Sequence, residues 1–187
     1  MSHSLAYILD ILAQLVSVLF VARFLLQASR ANFYNPISQA IVQITDPVLK
    51  PLRLIIPPFR NFDIASLVAV WILLALFDYA KLSIAADYSP GALKLMVLAF
   101  FEVLRFILQT YWLLILISII ASFLAPASDH PLLQLIREIV DPILEPARRL
   151  IPPLAGLDFS PILVFIVIGL LQDSIIPQIT QGVLNAL

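Results

Sequence analysis

The sequence predicts an all-α membrane protein: four transmembrane helices in two parallel repeats, each repeat carrying a cytoplasmic amphipathic, Pro-kinked helical hairpin between its two spans. Three observations carry this. First, of 187 residues 61% are hydrophobic and 12% charged, with mean hydropathy +1.02, whereas soluble domains carry charge on about a quarter of their residues. Second, four apolar runs, about 5–27, 64–85, 92–124 and 159–179, each reach the roughly 20 residues that a helix needs to cross a bilayer. Third, the chain contains one segment twice. Asp46-Pro47-Val48-Leu49-Lys50-Pro51-Leu52-Arg53-Leu54-Ile55-Ile56-Pro57-Pro58 aligns without a gap on Asp141-Pro142-Ile143-Leu144-Glu145-Pro146-Ala147-Arg148-Arg149-Leu150-Ile151-Pro152-Pro153. The alignment holds outward, with Pro36 on Pro131, Gln39 on Gln134, Asp63 on Asp158 and Asp78 on Asp173. The repeats are residues 1–92, with interfacial segment 36–58, and 93–187, with interfacial segment 131–153.

The first run reads as a retained membrane helix. No Lys or Arg precedes it, Asp10 interrupts it, and Arg23 and Arg30 stand at its far end, the opposite of a cleaved signal. The connector after it carries Arg30, Lys50, Arg53 and Arg60, and the connector between the third and fourth runs carries Arg137, Arg148 and Arg149. The positive-inside rule therefore places both connectors in the cytoplasm and both termini outside. Two spans per repeat give the copies one orientation.

Within each connector, Ile37, Ala40, Ile41 and Ile44 keep helical spacing opposite Ser38, Gln39 and Gln43, as do Leu132, Leu135, Ile136 and Ile139 opposite Gln134, Arg137 and Glu138. Pro36 and Pro131 suit the first helical position. Asp46-Pro47 and Asp141-Pro142 predict the end of one helix and the N-cap of another, which the tandem prolines 57–58 and 152–153 then stop. Asp63 and Asp158 are expected to cap the second and fourth spans, with Phe62 and Leu67, and Leu157 and Ile162, as hydrophobic staples. The device reads as a bent hairpin in the interface rather than a re-entrant loop, because charge is costly at depth.

These residues, with Asn32-Phe33-Tyr34-Asn35-Pro36-Ile37-Ser38-Gln39 before the first copy and Asp158-Phe159-Ser160-Pro161 after the second, resemble the YggT family of bacterial inner-membrane proteins over the whole chain. The resemblance implies a plasma-membrane location, or a thylakoid one in plastid relatives. It also implies links to osmotic-stress tolerance, to cell division and to cytochrome maturation, with no catalytic residues to carry over. The second copy departs where His130 stands for Asn35.

Polar groups inside the spans are the first functional suspects. Asp10 and Gln14 map on Arg105 and Gln109, so spans one and three are expected to meet through an Asp10–Arg105 ion pair and a Gln14–Gln109 contact, with Glu102 beside them. Asp78 and Asp173 form an equivalent acidic pair near the outer end, where Asp78 can reach Lys81 one turn on. Lys50, Arg53, Arg148 and Arg149 offer a cytoplasmic surface to anionic headgroups or a partner protein. Asp46, Asp63, Asp141 and Asp158 read as helix caps. With His3 and His130 the only histidines, no cysteine and 4 glycines, the chain offers no metal-ligand spacing, nucleophile elbow or phosphate loop. The reading is a non-enzyme without cofactors or nucleic-acid binding, a membrane scaffold or assembly factor able to form homo-oligomers. An oligomeric ion or small-solute conduit is the alternative.

Overall fold

A computed structural model describes residues 2–85, 91–125, 128–151 and 158–187; Leu157 and the prolines 152–153 lie outside them. The described residues fold as α1 (Ser2–Ala28), α2 (Pro36–Ile55), α3 (Ile64–Ala85), α4 (Ala92–Leu124), α5 (Pro131–Leu150), α6 (Ser160–Leu170), one π-helical turn (Leu171–Ile175) and α7 (Ile176–Ala186). Four segments are long and apolar enough to cross a membrane: Ser4–Ala28, Ile64–Ile84, Ala92–Leu124 and Ser160–Ala186. The last runs through α6, the π turn and α7, beyond the end at 179 expected from sequence. Pro177 lies just after that turn. Lacking an N–H for the carbonyl of Asp173, it leaves the ladder shifted there, with the Ile176 N–H bonded to Leu171 O.

Each connector holds one continuous helix where two were expected, so Asp46 and Asp141 lie inside helices and cap nothing. Pro47 and Pro51, like Pro142 and Pro146, sit on the exposed side. Each leaves the carbonyl four residues back without its helical donor, an interruption tolerated on the exposed side. The capping function falls at the start of each connector helix. Asn35 Oδ1 accepts from Ile37 N–H (2.9 Å) and His130 Nδ1 from Leu132 N–H (3.2 Å), so the exchange of Asn for His preserves the cap. At the end of α1, Ala31 N–H bonds Leu26 O and Arg30 N–H bonds Gln27 O, with Arg30 at φ 57°. This is the paired closure that favours a left-handed residue.

The two halves pack differently, for a reason written in side-chain size. In the first half α1 lies along α3, and the buried residues of the two helices include the small Ala13, Ser17, Ala65, Ser66, Ala69 and Ala75, which let backbones approach closely. Their counterparts in the second half are Leu108, Trp112, Ser160, Pro161, Val164 and Leu170. There Trp112 stacks on Phe165, ring centroids 5.4 Å apart, and the fourth span stands further off. One core, around Phe20, Val21, Leu25, Ala69 and Val70, takes in Leu49 of α2 and Ala99 of α4; a smaller one joins Ile115, Ile136, Val140, Leu144 and Ile168.

The connector helices meet on one face of the molecule. Asn35 Nδ2 donates to Pro131 O (2.7 Å), and Asn32 N–H donates to Glu138 Oε2 (2.7 Å). Asn35→Ala removes both this bond and the cap, and is expected to cost about 1–2 kcal/mol. His130→Ala, which loses a cap alone, is expected to cost less, as thermal unfolding of the purified chain will read.

Candidate functional site

Two polar assemblies stand apart from the cores. The first is an arginine clasp written once per repeat. Arg53 of α2 binds Asp63, the residue just before α3, through Nη2 and through Nε (3.4 Å to Oδ1), and approaches Asp46 of its own helix (3.9 Å). Arg148 of α5 repeats the pattern, with Nε 2.9 Å from Asp158 Oδ2 and Nη1 3.0 Å from Asp141 Oδ1. Each clasp ties a connector helix to the start of the following span. Asp63 and Asp158 also serve those starts: Asp63 accepts from Ser66 Oγ (2.7 Å) and Asp158 from Ser160 N–H (2.9 Å).

The copies differ in burial. Asp63 is fully buried, whereas the Asp158 side chain is 34% exposed. The first clasp also gains Arg23 of α1, 6% exposed, with Nη2 3.7 Å from Asp46 and its guanidinium 5.4 Å from the Phe33 ring centroid. Arg23 maps on Ser118, so the second clasp has no such third support. Burial alone would raise the Asp63 pKa, but hydrogen bonds from Arg53 and Ser66 and the charges of Arg53 and Arg23 hold it below the ordinary aspartate value. A carboxyl depressed on folding contributes stability that is complete above its unfolded-state pKa and is lost as pH falls through the folded one. Stability should therefore hold from neutral pH down to about pH 5 and decline below it, and Asp63→Asn should flatten that acid limb in pH-dependent thermal unfolding.

Because Arg53 and Arg148 are turned into the clasps, the basic surface expected from four residues falls to two. Lys50 (74% exposed) and Arg149 (77%) point outward, each near an acid one turn back, Asp46 at 3.2 Å and Glu145 at 3.2 Å.

The second assembly is a groove of about 1090 Å³ between α1, α3 and α4, floored by Ile37 and Ile41 of α2 and Leu132, Leu135, Ile136 and Ile139 of α5. Asp10, Gln14, Glu102, Arg105 and Gln109 all line it, as do Ser17, Asp78 and Lys81. The expected Asp10–Arg105 pair does not form. Asp10 Oδ1 lies 2.8 Å from Lys81 Nζ, which also lies 2.7 Å from Asp78 Oδ1. The reason is that α1 packs chiefly on α3, not on α4. Among the described residues Arg105 has no ion-pair partner, and Gln14 and Gln109 share no hydrogen bond. Asp173, whose neighbour Gln172 donates to Arg105 O (3.2 Å), is exposed on the π turn and does not line the groove. Among the described residues it has no ion-pair partner, and Ile176 stands where Lys81 maps.

Sequence reasoning missed two participants and saw a third in part. The Arg53–Asp63 bond had a visible signal in the Arg-to-Asp spacing that recurs at Arg148 and Asp158. The expected contact of Lys81 with Asp78 forms, but the bond from Lys81 to Asp10 was not foreseen. Arg23, a charge within a span, had no such pointer to Asp46.

The model of the CCB3/YggT family matches residues 2–80 and again 97–179. A Pseudomonas aeruginosa relative, "Uncharacterized protein PA0392", is 40% identical over 172 residues, covering 91% of this chain and 87% of its own. A Vibrio alginolyticus relative, "Uncharacterized protein in proC 3'region", is 34% identical over 168 residues, 88% of this chain and 89% of its own. "Uncharacterized protein YggT" of Escherichia coli K12 is 27% identical over 186 residues, 99% of this chain and 95% of its own. No solved structure matches the chain.

Proposed function

The chain belongs to the CCB3/YggT family, and on that premise we propose that it is a non-catalytic scaffold or assembly factor of the bacterial inner membrane, acting where osmotic tolerance or cell division requires it. Its connector helices lie as amphipathic elements at the cytoplasmic interface, with both termini outside. The observation that carries this reading is the outward side of the connector face. Lys50 and Arg149 stand there beside Leu54, Ile55 and Leu150, which are 88%, 81% and 74% exposed. Basic heads beside apolar protrusions suit anionic headgroups and a membrane-proximal partner.

The test is co-purification from native membranes after mild crosslinking. Lys50→Gln/Arg149→Gln is expected to lose the partner that the parent chain and Gln14→Ala retain; equal recovery from all three would contradict the proposal. A conduit for ions or small solutes has one observation in its favour, the exposed Gln14, Glu102, Arg105 and Gln109 at membrane depth. Flux in proteoliposomes that disappears in Glu102→Gln and Arg105→Gln would favour it over the scaffold.

A further inference from the structure

The groove is where the repeat symmetry fails. α3 packs on both α1 and α4, but its counterpart, the fourth span, packs on α4 without a matching contact on α1 among the described residues. The place on α1 that symmetry would fill is vacant, and the groove runs along it, with Thr180 of α7 the one residue of the fourth span in its lining. At its α2 and α5 end the two connectors are joined by the Asn35–Pro131 and Asn32–Glu138 bonds.

Its lining is graded along the helix axis. On α1 the polar residues Asp10, Gln14 and Ser17 come first, and Val18, Ala22 and Leu25 follow toward the connector face. On α4 Glu102, Arg105, Gln109 and Thr110 likewise come before Leu113 and Leu114, with Leu95, Leu98 and Phe101 ahead of them and Phe106 between. From Asp10 to Leu25 the helix rises about 22 Å, most of the roughly 30 Å hydrocarbon depth. Its volume lies at the upper end of the roughly 300–1,000 Å³ typical of ligand pockets.

In the polar zone Lys81 is already committed to Asp10 and Asp78. Glu102 faces Asp78 and the same lysine, so three carboxylates share one amine there, and Arg105 is exposed with no ion-pair partner among the described residues. A charge facing hydrocarbon is costly, so a head supplying an anion to Arg105 and an ammonium to the acids around Glu102 would relieve both.

We infer that the groove between α1, α3 and α4 holds one bilayer phospholipid with a phosphoethanolamine head, its phosphate on Arg105, its ammonium at Glu102, and its chains along the apolar run toward α2 and α5. The inference goes beyond the scaffold role and does not depend on it.

The test uses the full chain purified in detergent, with native mass spectrometry after addition of a diacyl phosphoethanolamine lipid or of the matching phosphoglycerol lipid. One phosphoethanolamine lipid per chain is expected to survive activation that strips the rest. Arg105→Gln should weaken its retention about tenfold, the equivalent of one charged hydrogen bond, and Glu102→Gln should abolish the preference over phosphoglycerol. Gln134→Ala, exposed on α5 and outside the groove lining, should change neither. Equal retention of the two lipids, no lipid beyond the labile shell, or unchanged retention in an Arg105→Gln chain of normal helicity would each overturn the inference. So would a crosslink between two copies through Cys substituted at Gln14, which would put a second chain in the groove.

Discussion

Asp63→Ala is expected to destabilise the chain by about 3 kcal/mol, because removing one partner of a buried pair leaves the other charge uncompensated. Asp63 is fully buried and is held by both Arg53 and Ser66; without it, Arg53 keeps only the longer approach to Asp46 and crowds the buried Arg23. The repeat supplies an internal control. Asp158→Ala removes the same link in the second copy, but its carboxylate and Arg148 are each about one-third exposed, where an ion pair is worth about 1 kcal/mol or less. Thermal unfolding of the two variants in one detergent reads the difference. Equal losses would mean that burial does not set the strength of the clasp. Replacing Arg53 and Asp63 together by apolar residues of similar size should recover much of the loss, as paired removal of buried charges does.

Lys81→Met carries the second large effect. It strips the shared cation from Asp10 and Asp78, which Lys81 Nζ meets at 2.8 and 2.7 Å, and leaves two carboxylates together at membrane depth. A loss of about 2–4 kcal/mol is expected on the scale of charges unpaired in hydrocarbon. The triple variant Asp10→Asn/Lys81→Met/Asp78→Asn should return most of it, which distinguishes charge pairing from packing by the lysine stem. No recovery in the triple variant would assign the effect to packing.

The spans and the repeat were legible because they rest on periodicity and length, which the bilayer enforces residue by residue. The family resemblance drawn from the doubled segment agrees with the family shown by comparison. The clasps were not legible from local rules. An Asp before a Pro reads as an N-cap wherever it stands, whereas Asp46 and Asp141 lie inside continuous helices and face an arginine two turns on in the same helix. The Asp10–Arg105 expectation failed for a different reason. It assumed that spans one and three meet as symmetric partners, whereas Ala13 and Ser17 draw α1 onto α3 and the bulkier Leu108 and Trp112 keep the second half looser. That contrast in size was present in the two aligned copies. Its consequence, a groove where the fourth span fails to reach α1, needed the packing itself.

A single module used twice in one orientation requires that repeat-equivalent positions of the two connectors lie on the same side of the membrane. The chain contains no cysteine, so Lys50→Cys and Glu145→Cys, equivalent and both exposed, each create a unique thiol. In sealed membrane vesicles both are expected to react with an impermeant maleimide when the vesicles are inverted, and neither when they are right-side-out. Reaction from opposite sides would contradict parallel repeats, and with them the paired clasps on one face.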